Sequence, residues 1–314
     1  VSSASVVTVT VNPCIDKSFA VARVVPERKL SAHDLRHDPG GGGINVARVI
    51  TRLRGEVRAL WTCGGPTGEL LAQMLDAESI VHEPVLIRDS VRENLIVGDD
   101  STGEQYRFGL PGPELSEAER GEWLVRLRGC TPAPAYVVLS GSLPPGVSAD
   151  WYAELIRAAP GGARVVVDSK REALARAVEV GVYLIKPNAA ELAEITGEQP
   201  DDDQGIEAAA RDIVEGGGAE VVLVSLGRGG ALLVTHAGVE RFSAPAVPLR
   251  SKVGAGDSLV GGLVGALARG DSLTDAAAHG VAAGAATVMT PGTQLCRPED
   301  VARLYERVGR SGAR

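Results

Sequence analysis

The chain has 314 residues, 44% hydrophobic and 23% charged, with 39 glycines and 18 prolines, which excludes a disordered chain and leaves room for one large α/β domain or two smaller ones. Its 32 Lys and Arg against 40 Asp and Glu give a net charge of −8, and without a basic run this argues against nucleic acid or an anionic membrane as main partner. There is no basic segment followed by a short apolar one and no bilayer-length apolar run, and Cys14, Cys63, Cys130 and Cys296 are too scattered for a metal or redox motif, so a soluble cytoplasmic protein with free thiols is expected.

The β-branched run from Val6 to Val11 ends at Asn12-Pro13 and predicts a buried strand feeding a loop. Asp16 is placed in that loop, just past a strand end where open α/β sheets bind ligands; it is either an acceptor for substrate hydroxyls or a turn-making aspartate. Short strands are predicted between Lys17 and Asp38, with His33 and His37 solvated rather than ligating a metal. Gly40-Gly41-Gly42-Gly43 then precede an apolar-periodic helix beginning near Ile44-Asn45, and four glycines would let the backbone approach a ligand closely. No Gly-Lys-Ser/Thr follows, which disfavours a P-loop, and Gly254-x-Gly256 has Leu259 where a dinucleotide fingerprint needs glycine.

A strand over Val57 to Trp61 and a helix over Thr67 to Asp76 come next. From Arg92 to Phe108 the period becomes two around the polar turn Asp99 to Gly103, which predicts a hairpin. With the strands before Asp38 it forms a small separate sheet, over about 17–38 and 92–109, that covers the site or meets a partner subunit.

From Ser116 the alternation is regular. Strands ending at Leu139, Val167, Ile185 and Val224 run into Ser140-Gly141-Ser142, Asp168, Lys186-Pro187-Asn188 and Ser225-Leu226-Gly227, and such residues at successive strand ends mark one ligand-binding edge of a mostly parallel sheet. Glu191 lies three residues after Asn188 and can face the same edge. Lys252 to Leu259, with Gly254, Ala255, Gly256 and Asp257, precedes an apolar run and reads as a helix N-terminus. Its free amides and dipole would hold an anion, and Asp257 in the first turn, kept ionised at neutral pH by that dipole, would suit a general base. The plain alternative is that Asp257 only caps the helix. Helices over Asp257 to Ala268 and Thr274 to Val288 are rich in Ala and Gly and are expected to pack closely.

Taken together, Gly40-Gly41-Gly42-Gly43-Ile44-Asn45, Lys186-Pro187-Asn188-x-x-Glu191 and Val253-Gly254-Ala255-Gly256-Asp257-Ser258 resemble the ribokinase-like (PfkB) sugar kinase family over nearly the whole chain. Glu104-Gln105-Tyr106-Arg107-Phe108, Ser140 to Gly146 and Asn12-Pro13-x-x-Asp16 look most like its bacterial phosphofructokinase branch. The resemblance implies an α/β fold, a parallel sheet flanked by helices with a small β-sheet lid, and ATP- and Mg²⁺-dependent phosphorylation of a hexose phosphate, with fructose 6-phosphate first and 1-phosphofructokinase or tagatose-6-phosphate kinase activity as alternatives.

It further implies that Asp257 is the base and Gly254, Ala255 and Gly256 hold the transferring phosphoryl group. Asp16, Asn45 and Gly40 to Gly43 would meet the sugar, with Ser142 on the same side, and Lys29 and Arg92 would clamp its phosphate. Lys186, Asn188, Ser225, Gly227 and Gly230 would line the ATP side, and Asp168 and Glu191 would organise Mg²⁺ through water. Carbonyls of Ser251, Val253, Thr287, Thr290, Gly292 and Gln294 would form a monovalent-cation loop, with K⁺ as its ion. Ser31 stands where the branch leads one to expect an arginine, two residues after the clamp lysine. The expected assembly is a homodimer joined through the lid sheets, and the competing class is a non-catalytic nucleotide or sugar-phosphate sensor.

Overall fold

The computed structural model describes residues 5–312 apart from 199 and 201. The chain opens with β1 (Val6–Thr10), β2 (Cys14–Val21), β3 (Ala32–Gly40), α1 (Gly42–Arg52), β4 (Val57–Cys63), α2 (Gly65–Ala77) and β5 (Val81–Leu86). The middle holds β6 (Arg92–Asp99), β7 (Gln105–Phe108), α3 (Glu117–Arg128), β8 (Tyr136–Ser140), α4 (Asp150–Ala158), β9 (Arg164–Asp168), α5 (Arg171–Val180) and β10 (Val182–Ile185). Then come α6 (Ala189–Thr196), α7 (Asp203–Glu215), β11 (Ala219–Ser225), β12 (Ala231–Thr235), β13 (Gly238–Ser243), α8 (Ala255–Arg269), α9 (Leu273–Val288), α10 (Pro298–Tyr305) and β14 (Gly309–Ser311).

Ten strands form one sheet in the order β14-β13-β12-β11-β10-β9-β8-β1-β4-β5. It is parallel from β11 to β5 and antiparallel from β11 outward to β14, a tail the sequence reading passed over along with β5. The central strands are almost wholly apolar because both faces are covered. One core packs α1, α2, α8, α9 and α10 on one face, and a second packs α3 to α7 on the other.

Small residues bring three helices together where the site lies. A side chain at Gly261 would meet Val49 of α1, and one at Gly280 would meet the Leu259 carbonyl of α8, so α1, α8 and α9 approach almost backbone to backbone. This is the close packing read from the Ala- and Gly-rich run. Among the described residues no helix is long and apolar enough to cross a membrane.

The second sheet has four strands in the order β3-β2-β6-β7. The hairpin read from Arg92 to Phe108 is present as β6 and β7, with Leu95 opposite Phe108 and Val97 opposite Tyr106. Asp16 is in the interior of β2, paired with Asp38 and Asn94, and not in a loop; Asn12-Pro13 already completes the turn out of β1. His33 and His37 lie on β3 with exposed flanks.

Candidate active site

The site begins at the C-terminal ends of β1, β8, β9, β10 and β11, where Asn12, Ser140, Asp168, Lys186 and Ser225 line one edge. The N-termini of α1 and α8 point at the same edge. Gly254 takes the left-handed conformation at φ 73° and caps α8 with no side-chain bond, so the first helical bond is Ser258 N–H to the Gly254 carbonyl at 2.8 Å. The Ala255 amide makes only a long 3.5 Å contact with the Lys252 carbonyl, which leaves the start of the helix able to receive an anion.

Asp257 sits in this first turn, and its carboxylate accepts a 2.8 Å hydrogen bond from the Asn45 side-chain amide on α1. Its pKa is raised to about 7 by burial, with Asp168 adding to the rise and Asn45 and Lys186 opposing it. The expectation that the dipole keeps this carboxylate ionised throughout the neutral range is therefore corrected: desolvation outweighs the helix end. A base poised near 7 is well matched to accepting a hydroxyl proton at physiological pH.

Lys186 is 5% exposed and pairs with Asp168 at 3.1 Å. Burial alone would lower its pKa, but Asp168, helped by Glu191 and Asp257, outweighs that and raises it, so the ammonium stays charged beside α8. A Cβ at Gly256 would lie 3.6 Å from Lys186 Nζ, which brings that ammonium against the anion-receiving amides.

Asn188 and Glu191 do meet, as a capping box on α6. The Asn188 side chain accepts from Glu191 N–H and Glu191 accepts from Asn188 N–H, both at 2.9 Å. Ser225 bridges Asn188 across the strand ends. Gly227 opens the exposed turn after β11, whereas Gly230 is demanded by the chain itself, since a side chain there would strike the Phe242 carbonyl. Packing on β13 therefore requires glycine at 230 independently of any nucleotide.

The glycine stretch is likewise required by the chain's own packing. Gly41 has φ 113°, and side chains at Gly42 and Gly43 would strike Ser140 Oγ and Thr10 Oγ1. These glycines let α1 sit on the ends of β1 and β8, and only through that docking do they bring Asn45 onto Asp257. Gly40 leaves room for the Asp16 carboxylate, which a Cβ would approach to 2.7 Å.

On the small sheet, alternation sends Arg92, Asn94 and Asp16 to one face. Asn94 donates to Asp16 at 2.9 Å and its carbonyl oxygen accepts from Leu110 N–H at 3.3 Å. Arg92 donates to the carbonyls of Asn12 and Leu110, each at 3.2 Å, while its buried Nε has no partner. Asn12 in turn donates to Ser142 Oγ at 3.2 Å and to the Leu143 carbonyl at 3.1 Å. Arg92, Asn12 and Ser142 thus gather at one corner.

Lys29 does not join them within one chain. Arg92 pairs with Cys14 at the root of β2, whereas Lys29 lies in the exposed connection beyond Val21. The seven intervening steps of extended chain amount to roughly 23 Å.

The carbonyl loop is assembled from two neighbouring segments, with Arg250 and Ser251 N–H groups bonded to the Val288 carbonyl. Ser251 Oγ donates to the Gly292 carbonyl at 2.6 Å and Val253 N–H donates to that Oγ at 3.2 Å. Thr290 Oγ1 donates to the Thr287 carbonyl at 2.7 Å and also contacts the Gln294 carbonyl. The Gly292 and Gln294 carbonyls each accept one such bond and keep a second lone pair, whereas the Thr287 carbonyl also accepts from Thr290 N–H at 3.0 Å. Thr293 Oγ1 binds Asp38 at 2.6 Å and ties this loop to β3.

Asn12, Arg48 and Asn94 were passed over as site residues in the sequence. Asn94 was findable, two residues after Arg92 on the same strand face, and Arg48 stands one helical turn after Asn45.

A family model described as pfkB family carbohydrate kinase matches residues 9–300. ATP-dependent 6-phosphofructokinase isozyme 2 of Mycobacterium tuberculosis is 41% identical over 96% of this chain and 89% of its own length. The protein of the same name from Escherichia coli K12 is 40% identical, covering 96% and 98%, and 1-phosphofructokinase of Bacillus subtilis is 33% identical, covering 96% and 97%. Among solved structures, phosphofructokinase-2 from E. coli in complex with potassium superposes with a TM-score of 0.93 at 39% identity, covering 97% of this chain and 99% of that one. The same enzyme in complex with fructose-6-phosphate gives 0.91 at 38%, with equal coverage. With its glycine-started helix ends, buried Asp257 and Lys186 at the strand edge, the chain belongs to the pfkB family of carbohydrate kinases and is a sugar-phosphate kinase.

Proposed function

We propose that the enzyme transfers the γ-phosphoryl group of ATP to fructose 6-phosphate, forming fructose 1,6-bisphosphate, in the cytoplasm. The observation that carries the reading is Asp257, buried at the start of α8, held by Asn45, with a pKa of about 7. Its carboxylate takes the sugar hydroxyl proton as the O–P bond forms, and the leaving ADP departs toward the edge lined by Lys186, Asn188, Ser225 and Gly227. Because the phosphoryl group is transferred through a loose transition state, most of the rate comes from positioning and charge stabilisation by Lys186 and the amides of Gly254, Ala255 and Gly256. Asp16, oriented by Asn94, and Asn45 receive sugar hydroxyls beside Gly40 and Gly41. Arg92 and Ser142 hold the phosphate already on the sugar, without Lys29 from the same chain.

Mg²⁺ fits this donor set as a nucleotide-borne ion. Among the described residues no group of three metal-ligating side chains exists, Asp168 is engaged by Lys186, and one Glu191 oxygen is committed to the cap. Asp168 and Glu191 would hold it through water, and when bound it would neutralise phosphate charge. The carbonyls of Ser251, Val253, Thr287, Thr290, Gly292 and Gln294 suit a monovalent cation, K⁺ being the ion named with the E. coli structure.

The small sheet acts as a lid, and its other face joins a second copy. Tyr106 is 39% and Phe108 51% exposed, paired with Val97 and Leu95, and Leu35 of β3 is 62% exposed. An apolar sheet face of this kind needs a partner. Ile96, on the opposite face, is buried in its own chain and is not available for this contact. The free thiols of the four buried cysteines suit a reducing compartment.

ADP release measured over a panel of hexose phosphates tests the reading. Fructose 6-phosphate should show the highest kcat/KM. Preference for fructose 1-phosphate would support the second reading, favoured by Ser31 and the B. subtilis relative, and ATP binding without any turnover would support the sensor.

A further inference from the structure

Arg48 is charged, 1% exposed, and takes no part in the chemistry described above. It lies three residues after Asn45 on α1, on the same helix face. Its guanidinium makes a forked pair with Glu78, just beyond α2, through Nε at 3.0 Å to both oxygens and Nη2 at 2.6 Å. Nη1 then donates to two further acceptors, the Pro39 carbonyl at 2.9 Å and Asn45 Oδ1 at 3.3 Å. Burial would raise the pKa of Glu78, but Arg48, with a smaller contribution from Arg52, outweighs this and lowers it, so the pair is ionised.

A buried ion pair is a weak device for stability, because desolvating both charges consumes most of their attraction. What this pair does provide is direction. Arginine has no acceptor, so only the oxygen of the Asn45 amide can face it, and the amide NH₂ must then face Asp257. The ionised Asp257 accepts only, and so demands the same orientation from the other side. The same Nη1 holds Pro39, at the entrance to the glycine stretch, in register with Asn45.

We propose that Arg48, anchored by Glu78, is a positioning residue that sets the orientation of the Asn45 amide between the sugar and Asp257 and fixes the Pro39 end of the glycine stretch to it. The proposal rests on the reading of Asn45 and Asp257 above.

Arg48→Lys keeps the charge for Glu78 but cannot reach Pro39 and Asn45 together. It should lower kcat by about tenfold or more and raise KM for the sugar phosphate, with KM for ATP unchanged within twofold. In an Asn45→Ala background the same change should have almost no further effect, since Arg48 acts through Asn45. Arg52→Met, which removes the other, half-exposed contact to Glu78 at 3.3 Å, should leave kcat within about twofold. If Arg48→Lys does not fold, Glu78→Gln, which preserves volume, must show the same split between the two KM values.

The proposal is overturned if the Arg48 and Asn45 effects multiply, if both KM values move together, or if Arg52→Met is as damaging. Failure of the underlying reading looks different: Asn45→Ala would then behave as wild type.

Discussion

The centre of the site and the small sheet solve the same problem in opposite ways. Around Asp257 the buried charges are held within the chain: Asp257 by Asn45, Arg48 by Glu78 and Asn45, Lys186 by Asp168. The sheet of β2, β3, β6 and β7 is unfinished, with Phe108, Tyr106 and Leu35 exposed, Lys29 in an exposed connection, and Arg92 Nε buried without a partner. A preorganised centre keeps the base and anion-receiving amides in place before substrate arrives, and an incomplete flap can finish its contacts on a phosphosugar or a second subunit.

The largest expected break is in the centre. Asp257→Asn should lower kcat by roughly two to four decades while ATP and sugar affinity stay within a few-fold, as measured by steady-state kinetics and direct binding. Near-normal kcat would remove Asp257 from the role of base.

On the flap, Arg92→Ala should lower kcat/KM for fructose 6-phosphate by about two decades, the scale of a charged hydrogen bond lost in a desolvated corner. Activity on unphosphorylated fructose should scarcely change. An equal loss on both sugars would show that Arg92 merely holds the Asn12 and Leu110 carbonyls.

Much of this contrast was legible in the residues, and the rest was hidden for physical reasons. Repeated polar residues at strand ends located the edge, and the glycines before Asn45 and Asp257 located both helix starts. The change to a period of two at Arg92 located the flap. What stayed hidden depends on tertiary approach: Gly42, Gly43 and Gly230 answer to the chain's own backbone, and Asn188-x-x-Glu191 is also a capping box. The acidity of Asp257 was misjudged because a helix dipole can be read from a local motif, whereas burial beside Asp168 cannot. Lys29 and Arg92 were joined because both belong to the flap, although register separates them along β2.

A smaller effect tests the flap as an interface. Phe108→Asp should convert a dimer to monomers in sedimentation and lower kcat/KM several-fold, as the charge enters an apolar contact. A wild-type monomer at working concentration would contradict the dimer.

The smallest effect is on stability. The folded-state pKa of Asp257 is raised to about 7, so the folded chain holds this proton more tightly than the unfolded one and stability falls as pH rises from about 4 to about 7. Asp257→Asn should therefore stabilise the protein above pH 7 by about 1 to 2 kcal/mol, part of the desolvation relief being offset by lost bonding to Asn45 and Lys186. Below pH 4 the difference should vanish. Equal unfolding free energies at pH 8 would mean that the carboxylate is not strained by burial.

The most direct test of the buried base is the pH dependence of kcat/KM for fructose 6-phosphate under saturating ATP and Mg²⁺. The geometry around Asp257 predicts a fall on the acid side with an apparent pKa near 7, absent from the residual activity of Asp257→Asn. A wild-type profile flat down to pH 5, or an acid limb that persists unchanged in Asp257→Asn, would contradict it.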